Sequence, residues 1–219
     1  MNIQHSRRLL KTCAILALFF GGESAHADLV LNATGIADGF TASNFATGLP
    51  GVASGFGPFG LAVMNNGSGG TSVLVSDIYN GTRYTFNNSD GQTPASELNI
   101  NSSNSNVSGY ATLDGTAYGA DNGKFGSFSS TGVFTAFSIE NLPAWGLGMA
   151  GDNKTGEIIA TSTSGLIAIN PTTNTFRIIA NVSGDGVSIS PDGKTAYVMS
   201  GGIYGYDTIT GALTHQSVI

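Results

Sequence analysis

The sequence predicts an all-β chain folded as a β-propeller with four recognisable blades. Asp-Gly and Asn-Gly pairs recur along the 219 residues, between short runs rich in Val, Ile, Tyr, Phe and Thr. No convincing helical periodicity is found beyond the first 27 residues. Similar units of about four strands begin at Gly60, Ser108, Gly146 and Gly186, which are 48, 38 and 40 residues apart. A period of about 40–45 residues with four strands per unit is typical of propeller blades.

The composition favours a packed β protein over a disordered chain, because 41% of the residues are hydrophobic and only 10% are charged. Both members of an Asp-Gly or Asn-Gly pair tolerate the positive φ angles that tight hairpin turns require. Between these turns we expect strands such as Ser72–Asp77 and Glu157–Ser162. A β-sandwich with evenly spaced strands is the alternative, but the same strand order repeated four times favours the propeller.

The first 27 residues have the order of a secretory signal peptide. Basic residues Arg7, Arg8 and Lys11 precede an apolar run at 13–20, and Ala-His-Ala at 25–27 provides small residues for cleavage. The apolar run is far shorter than the roughly 20 residues needed to cross a bilayer, which disfavours a retained anchor. We therefore expect export to the periplasm or the extracellular space, either by the general secretory route or by the twin-arginine route, and a mature chain without a transmembrane segment.

Removal of this segment leaves a strongly acidic chain with no cysteine. The mature chain would keep 5 basic and 13 acidic residues, a net charge of −8, and the one cysteine, Cys13, lies within the signal. Such a surface repels phosphate backbones and has no basic patch, so we expect no nucleic-acid partner. Stability must come from the core and from hydrogen bonds, without disulfides.

The domain organisation that we predict follows the repeats. After the signal peptide at 1–27, an N-terminal segment at 28–59 contains an outer closing strand at 40–48. The four blades then span about 60–107, 108–145, 146–185 and 186–219.

Several units resemble known repeat propellers. Residues 75–86 (VSDIYNGTRYTF) resemble the second and third strands of an NHL repeat, and residues 186–200 (GVSISPDGKTAYVMS) resemble the opening of a YVTN-type blade. Residues 45–50 (FATGLP) and 58–61 (PFGL) are similar to the entry to the first blade in such proteins. Over roughly residues 40–216 the chain thus resembles secreted bacterial propellers of the NHL, SMP-30-like and YVTN-like kind. This resemblance implies an architecture that enzymes, binders and scaffolds share.

Propellers of this resemblance usually have six or seven blades, so we expect these four blades to be part of a larger propeller, and a closed four-bladed ring is the alternative. In an open arc the first and last blades would leave apolar faces uncovered, and we expect self-association through them. The side chains that we expect on such faces are those of Phe125, Phe128, Phe134, Ile178 and Tyr204.

Candidate binding residues lie in the loops that enter each innermost strand and in the turns between second and third strands, which share one face of a propeller. They are Asp77, Asn80, Asp121, Asn122, Phe59 and Trp145. The side-chain oxygen atoms of the two aspartates and two asparagines suit Ca²⁺. The two aromatic rings, together with the amide groups, suit a sugar or a peptide. A carboxylate just before a turn also bonds backbone N–H groups, and an aromatic ring also packs between blades, so structural roles remain open.

Catalytic residues are harder to identify. The mature chain has one histidine, His215, and lacks a G-x-S-x-G motif. The SMP-30-like resemblance implies a metal-binding Glu before a Gly-Pro pair, where this chain has Phe56. Streptogramin-lyase-like propellers use a late His and a Glu with Mg²⁺, and His215 alone does not match that pattern. We therefore expect a non-catalytic binding or interaction module for an unknown extracellular ligand or protein. The alternative is a metal-dependent lactonase- or lyase-like enzyme that uses Asp77 and Asp121.

Overall fold

The computed structural model describes residues 32–50, 58–77, 81–102 and 109–218, except for the side chains of Trp145 and Val218. In these ranges sixteen strands form four antiparallel sheets of four strands each, and helix is nearly absent. The predicted all-β propeller class is confirmed. The predicted signal peptide at 1–27 and the residues Phe56 and Asn80 lie outside the described residues.

The strands of each sheet follow one another in chain order. The first sheet comprises β1 (Gly60–Asn65), β2 (Thr71–Asp77), β3 (Thr82–Asn87) and β4 (Asn99–Ser102). The second comprises β5 (Tyr110–Leu113), β6 (Thr116–Asp121), β7 (Lys124–Phe128) and β8 (Phe134–Ala136). The third comprises β9 (Trp145–Asp152), β10 (Glu157–Ser162), β11 (Gly165–Asn170) and β12 (Thr175–Ala180). The fourth comprises β13 (Gly186–Ile189), β14 (Thr195–Met199), β15 (Gly202–Asp207) and β16 (Leu213–Val218).

Tight turns explain this chain order, because two-residue connections join antiparallel neighbours. In the second sheet, Asp114 and Gly115 connect β5 to β6 with φ angles of 48° and 75°. Asn122 and Gly123 connect β6 to β7 with φ angles of 50° and 71°. The loops of each sheet lie at the two ends of its strands. We call the end where the first strand begins and the second strand ends the entry edge, and the other end of the strands the opposite edge.

Neighbouring sheets pack face to face, with the first strands β1, β5, β9 and β13 adjacent in that order. One cluster of buried side chains fills each interface. The clusters include Met64 and Phe128 between the first and second sheets, Phe125 and Ile167 between the second and third, and Leu166 and Val198 between the third and fourth. Burial of one such side chain contributes about 1.5–3 kcal/mol, so these interfaces form the core.

This packing corrects part of the expectation about uncovered faces. Phe125 and Phe128 are 1% and 3% exposed, because both point into interfaces between sheets. Phe134 is half-buried beside Phe128, with ring centroids 5.2 Å apart. Tyr204 is half-buried, whereas Ile178 is exposed as expected. The sequence pattern identified apolar side chains but not which face of a strand would be covered.

Two glycines in equivalent turns hold neighbouring sheets close together at the opposite edge. Gly132, between β7 and β8, has a φ of 76°, and a Cβ atom there would lie 2.7 Å from the Thr85 hydroxyl of the first sheet. Gly211, between β15 and β16, has a φ of 71°, and its Cβ would clash with the Ile179 carbonyl of the third sheet. Any side chain in these turns would be strained and would push the sheets apart.

The turns between first and second strands also connect sheets at the opposite edge. The Asn65 N–H of the first sheet donates to the Gly115 carbonyl of the second sheet, at 2.7 Å. The Asp114 N–H of the second sheet donates to the Asn153 side-chain oxygen of the third sheet, at 3.0 Å. Hydrogen bonds thus fix the position of successive sheets along their strands.

The outward faces of the two terminal sheets differ. On the first sheet, Val73 and Phe86 are buried in a cluster with Leu49 and with the partly buried Phe45. Within the segment 40–48, where we predicted an outer closing strand, Ala46 forms an isolated parallel bridge with Gln92, which follows β3 of the first sheet. On the fourth sheet, Met199 and Ile203 are paired neighbours that are 50% and 45% exposed.

The described residues 32–43 belong to a unit separate from the one that begins at Asn44. In this unit Asn32 caps the N-terminus of the helix α1 (Ala33–Ala37): its side-chain oxygen accepts a hydrogen bond from the Gly35 N–H at 2.8 Å. This one-turn helix departs from the expectation of no helix in the mature chain. In the described ranges, no helix has the length and apolar character that crossing a membrane would require.

Candidate functional site

Apart from Asn80, which lies outside the described residues, the predicted candidates lie at the entry edge of the first three sheets. Asp77 and Asp121 end β2 and β6, so they occupy equivalent positions in the first and second sheets. Asn122 follows in the exposed β6–β7 turn. Phe59 is 50% exposed just before β1. Trp145 begins β9 and its backbone pairs with Ser162, but its side chain falls outside the described part of the chain.

Asp121 forms a buried ion pair that the sequence did not predict. Its carboxylate accepts a hydrogen bond from the Arg83 guanidinium of the neighbouring sheet at 2.7 Å, and both side chains are less than a tenth exposed. The guanidinium also lies over the Phe128 ring, 5.2 Å from its centroid. This carboxylate therefore compensates a buried cation, which differs from both roles that the sequence suggested for it, metal binding and capping of a turn.

We call the interface between two neighbouring sheets a junction. Beside this ion pair, the junction between the first and second sheets contains two packed aromatic rings. Tyr110 lies edge-on to Phe128, with ring centroids 5.0 Å apart. Burial raises the pKa of Tyr110 to about 12 from its usual value of 10.0, because the phenolate would lose its hydration. Asp77 is fully buried at the end of β2. The described part of this junction is thus closed, and its charged groups are in the interior.

The junction between the third and fourth sheets has an open groove at the entry edge instead. It has a volume of about 440 Å³. The groove is lined by the start of β9 at Gly146, the end of β10 at 161–163, the loop 183–185 and the turn 199–201. The loop 183–185 enters an innermost strand, which is the kind of loop in which the sequence predicts binding residues, but no residue of the lining was among the predicted candidates.

Some of the hydroxyl groups in the groove are used by the fold. The buried Ser162 side chain donates to the Gly165 carbonyl at 2.7 Å and accepts from the Ser164 N–H at 3.1 Å. The Thr161 hydroxyl accepts from the Gly148 N–H at 3.3 Å. These bonds fix the β10–β11 turn and the floor of the groove.

Other polar groups of the groove are available to a ligand. Thr163, Ser183 and Ser200 are exposed, and within the described residues no hydrogen bond engages their hydroxyls. The same holds for the carboxylate of the exposed Asp185, the one titratable side chain in the lining. The groove therefore offers three hydroxyls and one carboxylate.

The loop 183–185 is held in place by its backbone. The Asp185 N–H donates to the Met199 carbonyl at 3.0 Å. A Cβ atom at Gly184 would clash with the same carbonyl and would lie 2.6 Å from a methyl group of Val198. Glycine thus lets the loop approach β14 closely, which sets Asp185 at the side of the groove.

Metal ligation is not evident in the described ranges, where no three or more His, Cys, Asp or Glu side chains are grouped suitably for a metal ion. His215 lies exposed on β16, where its Nδ1 is 2.9 Å from the Thr214 hydroxyl.

Comparisons with known proteins place the fold but not the function. No protein-family model matches the sequence, and no curated protein matches it either. Among solved structures, the chain is similar to the β-propeller domain of Cps50 (Swd1) from Myceliophteria thermophila, with 14% identity over 74% of this chain and 58% of that one and a TM-score of 0.53. It is also similar to streptogramin B lyase, with 14% identity over 74% of this chain and 55% of that one and a TM-score of 0.52.

A third similar structure is the extracellular domain of BT4673 from B. thetaiotaomicron, with 13% identity over 74% of this chain and 22% of that one and a TM-score of 0.51. The chain thus spans less than two thirds of each of these neighbours. At such identities the likeness concerns the fold alone, and it supports a β-propeller.

Proposed function

We propose that this protein is an exported, non-catalytic binding propeller that holds its ligand in the groove between the third and fourth sheets. The observation that carries this proposal is the set of free polar groups at the groove, on Thr163, Ser183, Ser200 and Asp185. Concave sites with a few polar groups on a rigid support are the usual form of small-ligand sites, and the volume of about 440 Å³ falls within their common range.

Rigidity of the groove supports binding. Its floor is fixed by the hydrogen bonds of Thr161 and Ser162, and one side by the Asp185 to Met199 backbone bond. A ligand would therefore meet groups that are already in position, and less conformational entropy would be lost on binding.

The alternative of a metal-dependent lactonase- or lyase-like enzyme depends on Asp77 and Asp121. The engagement of Asp121 by Arg83 disfavours it, since a metal ion would have to displace a buried, charge-assisted hydrogen bond. We expect no rise in melting temperature when Ca²⁺ is added to chelator-treated protein. A rise that disappears on renewed chelation would support the metal alternative, because a ligand that binds the folded state stabilises it.

Export is part of this proposal and rests on the sequence of residues 1–27. We expect the mature chain to begin at Asp28 when the protein is recovered from the periplasm or the medium. Mass spectrometry of the intact protein measures this directly. Recovery of a chain that retains Met1 would contradict export by a cleaved signal.

The binding role is tested with a groove-filling variant. A panel of sugars, amino-acid amides and short peptides is screened by thermal shift against the unaltered chain, Thr163→Trp and Thr172→Trp. Thr163 is exposed in the groove, and Thr172 is equally exposed in the β11–β12 turn, outside its lining. We expect at least one probe to stabilise the unaltered chain and Thr172→Trp but not Thr163→Trp. Stabilisation that survives in Thr163→Trp would place binding elsewhere.

A further inference from the structure

The charges around the groove indicate which ligands it selects. Among the described residues that line it, Asp185 alone carries a charged side chain. The basic residues of the third and fourth sheets, Lys154, Arg177 and Lys194, all lie toward the opposite edge. There Arg177 is already paired with Glu157 at 2.6 Å and donates to the Thr208 carbonyl at 2.8 Å. The groove is thus negative in a chain whose net charge is −6, and it attracts cations.

The hydrogen-bond acceptors of the groove also favour a cationic ligand. A carboxylate only accepts hydrogen bonds, and each of the hydroxyls of Thr163, Ser183 and Ser200 has two acceptor lone pairs. An anionic ligand would repel Asp185, and a neutral apolar ligand would cover this carboxylate without offering a donor, which is unfavourable. A ligand that only donates hydrogen bonds matches all four groups.

We propose that the groove binds a guanidinium group, carried by an arginine side chain of a peptide or by a small arginine derivative. This inference rests on the proposed function, ligand binding in the groove. A guanidinium presents five N–H donors in a planar fork that binds a carboxylate through two parallel hydrogen bonds. Two of these donors pair with Asp185, and the remaining three face the hydroxyls of Thr163, Ser183 and Ser200. The ammonium group of lysine has three donors and cannot form the planar paired contact.

The test is a calorimetric titration of the exported chain with N-acetylarginine amide and with its neutral isostere N-acetylcitrulline amide. A five-residue peptide with arginine at its centre, and the same peptide with citrulline, distinguish a peptide from a small molecule as the source of the guanidinium. We expect the arginine forms to bind and each citrulline form to bind at least about tenfold more weakly, because a charge-assisted hydrogen bond is lost. Tighter binding of the peptide than of the amide would identify a peptide ligand, and equal binding a small arginine derivative.

Two variants assign that binding to the groove. Asp185→Asn removes the carboxylate of the groove, and we expect at least about tenfold weaker binding of the arginine probes. The matched control is Asp114→Asn, which makes the same charge change at the opposite edge of the second sheet, at a position whose φ of 48° asparagine tolerates. We expect it to bind as the unaltered chain does.

The outcomes separate this inference from the function on which it rests. Absence of arginine binding, or equal binding to Asp185→Asn and the unaltered chain, would overturn the guanidinium assignment. If another probe of the panel then stabilised the chain but not Thr163→Trp, the groove would remain a binding site for a different ligand class. If no probe distinguished Thr163→Trp from Thr172→Trp, the proposed function would fail as well.

Discussion

At the entry edge, the second and third sheets carry different residues at the same position, the end of the second strand. Asp121 in the second sheet pairs with Lys124 across the turn, and Ser162 in the third sheet pairs with Gly165. The Asp121 carboxylate reaches across to Arg83 of the preceding sheet, whereas the Ser162 hydroxyl bonds to Gly165 within its own turn. Asp121 therefore ties the second sheet to the first, whereas the Ser162 hydroxyl is satisfied within its own sheet.

The physical reason lies in how each side chain is satisfied. A buried carboxylate needs an opposite charge, so the first two sheets must hold Arg83 and Asp121 in contact. A serine hydroxyl finds its partners two or three residues away, so the third sheet needs no charged partner from a neighbouring sheet at this position. Equivalent positions in one propeller thus hold two sheets together in one case and stabilise a single turn in the other.

The largest effect that this comparison predicts is on stability. We expect Asp121→Ala to lower the free energy of unfolding by about 3–5 kcal/mol, because Arg83 would stay buried without a counter-charge. We expect Ser162→Ala to lower it by only about 1 kcal/mol, the usual effect of one lost hydrogen bond. Urea unfolding followed by circular dichroism measures both values.

A double variant controls for the loss of volume at Asp121. In Arg83→Met with Asp121→Leu no charge remains to be compensated, and we expect most of the lost stability to return. Equal losses of stability for Asp121→Ala and Ser162→Ala would contradict the distinction between these two positions. A double variant as unstable as Asp121→Ala would contradict it as well.

A smaller effect concerns pH, through Tyr110 in the closed junction. Because burial raises its pKa to about 12, the folded chain holds the phenolic proton more tightly than the unfolded chain does. This contribution to stability is fully present below pH 10 and is lost as the pH rises from about 10 to about 12. With about 1.4 kcal/mol for each pKa unit, the loss amounts to about 3 kcal/mol.

We expect Tyr110→Phe to remove this part of the alkaline loss. A weaker dependence would remain, since burial also raises the pKa of Tyr84 and Tyr118. Urea unfolding at pH 9, 10 and 11 compares the slopes of the two proteins. Identical slopes would show that Tyr110 is not shielded from water as the closed junction requires.

The fold was predictable from sequence because its signals are local. Asp114-Gly115 and Asn122-Gly123 each require positive φ angles, and the structure has both pairs in tight turns. Four similar units then predict four sheets, since each unit needs a neighbour to cover its apolar face. The short helix α1 was missed because five residues are too few to show a helical period.

The candidate site was only partly predictable, because its contacts are not local. Arg83 and Asp121 are 38 positions apart, and their pairing depends on how two sheets are stacked. The same holds for the groove, where residues 161–163 meet the loop 183–185 and the turn 199–201. Chain topology predicts that these segments lie together at the entry edge. It does not predict which junctions between sheets are filled by side chains and which contain a groove. The signal that could have indicated Arg83 is an arginine within a predicted strand, where burial demands a counter-charge.

We propose that ligands bind at the junction between the third and fourth sheets, whereas the junction between the first and second holds its two sheets together. The most direct test of this proposal is a titration of the isotope-labelled chain with N-acetylarginine amide, followed by backbone amide NMR shifts. We predict the largest shifts at Thr163, at residues 183–185 and at Ser200, with little change at Asp121 or Lys124. Largest shifts at Asp121 and its neighbours, with residues 183–185 unchanged, would contradict this account.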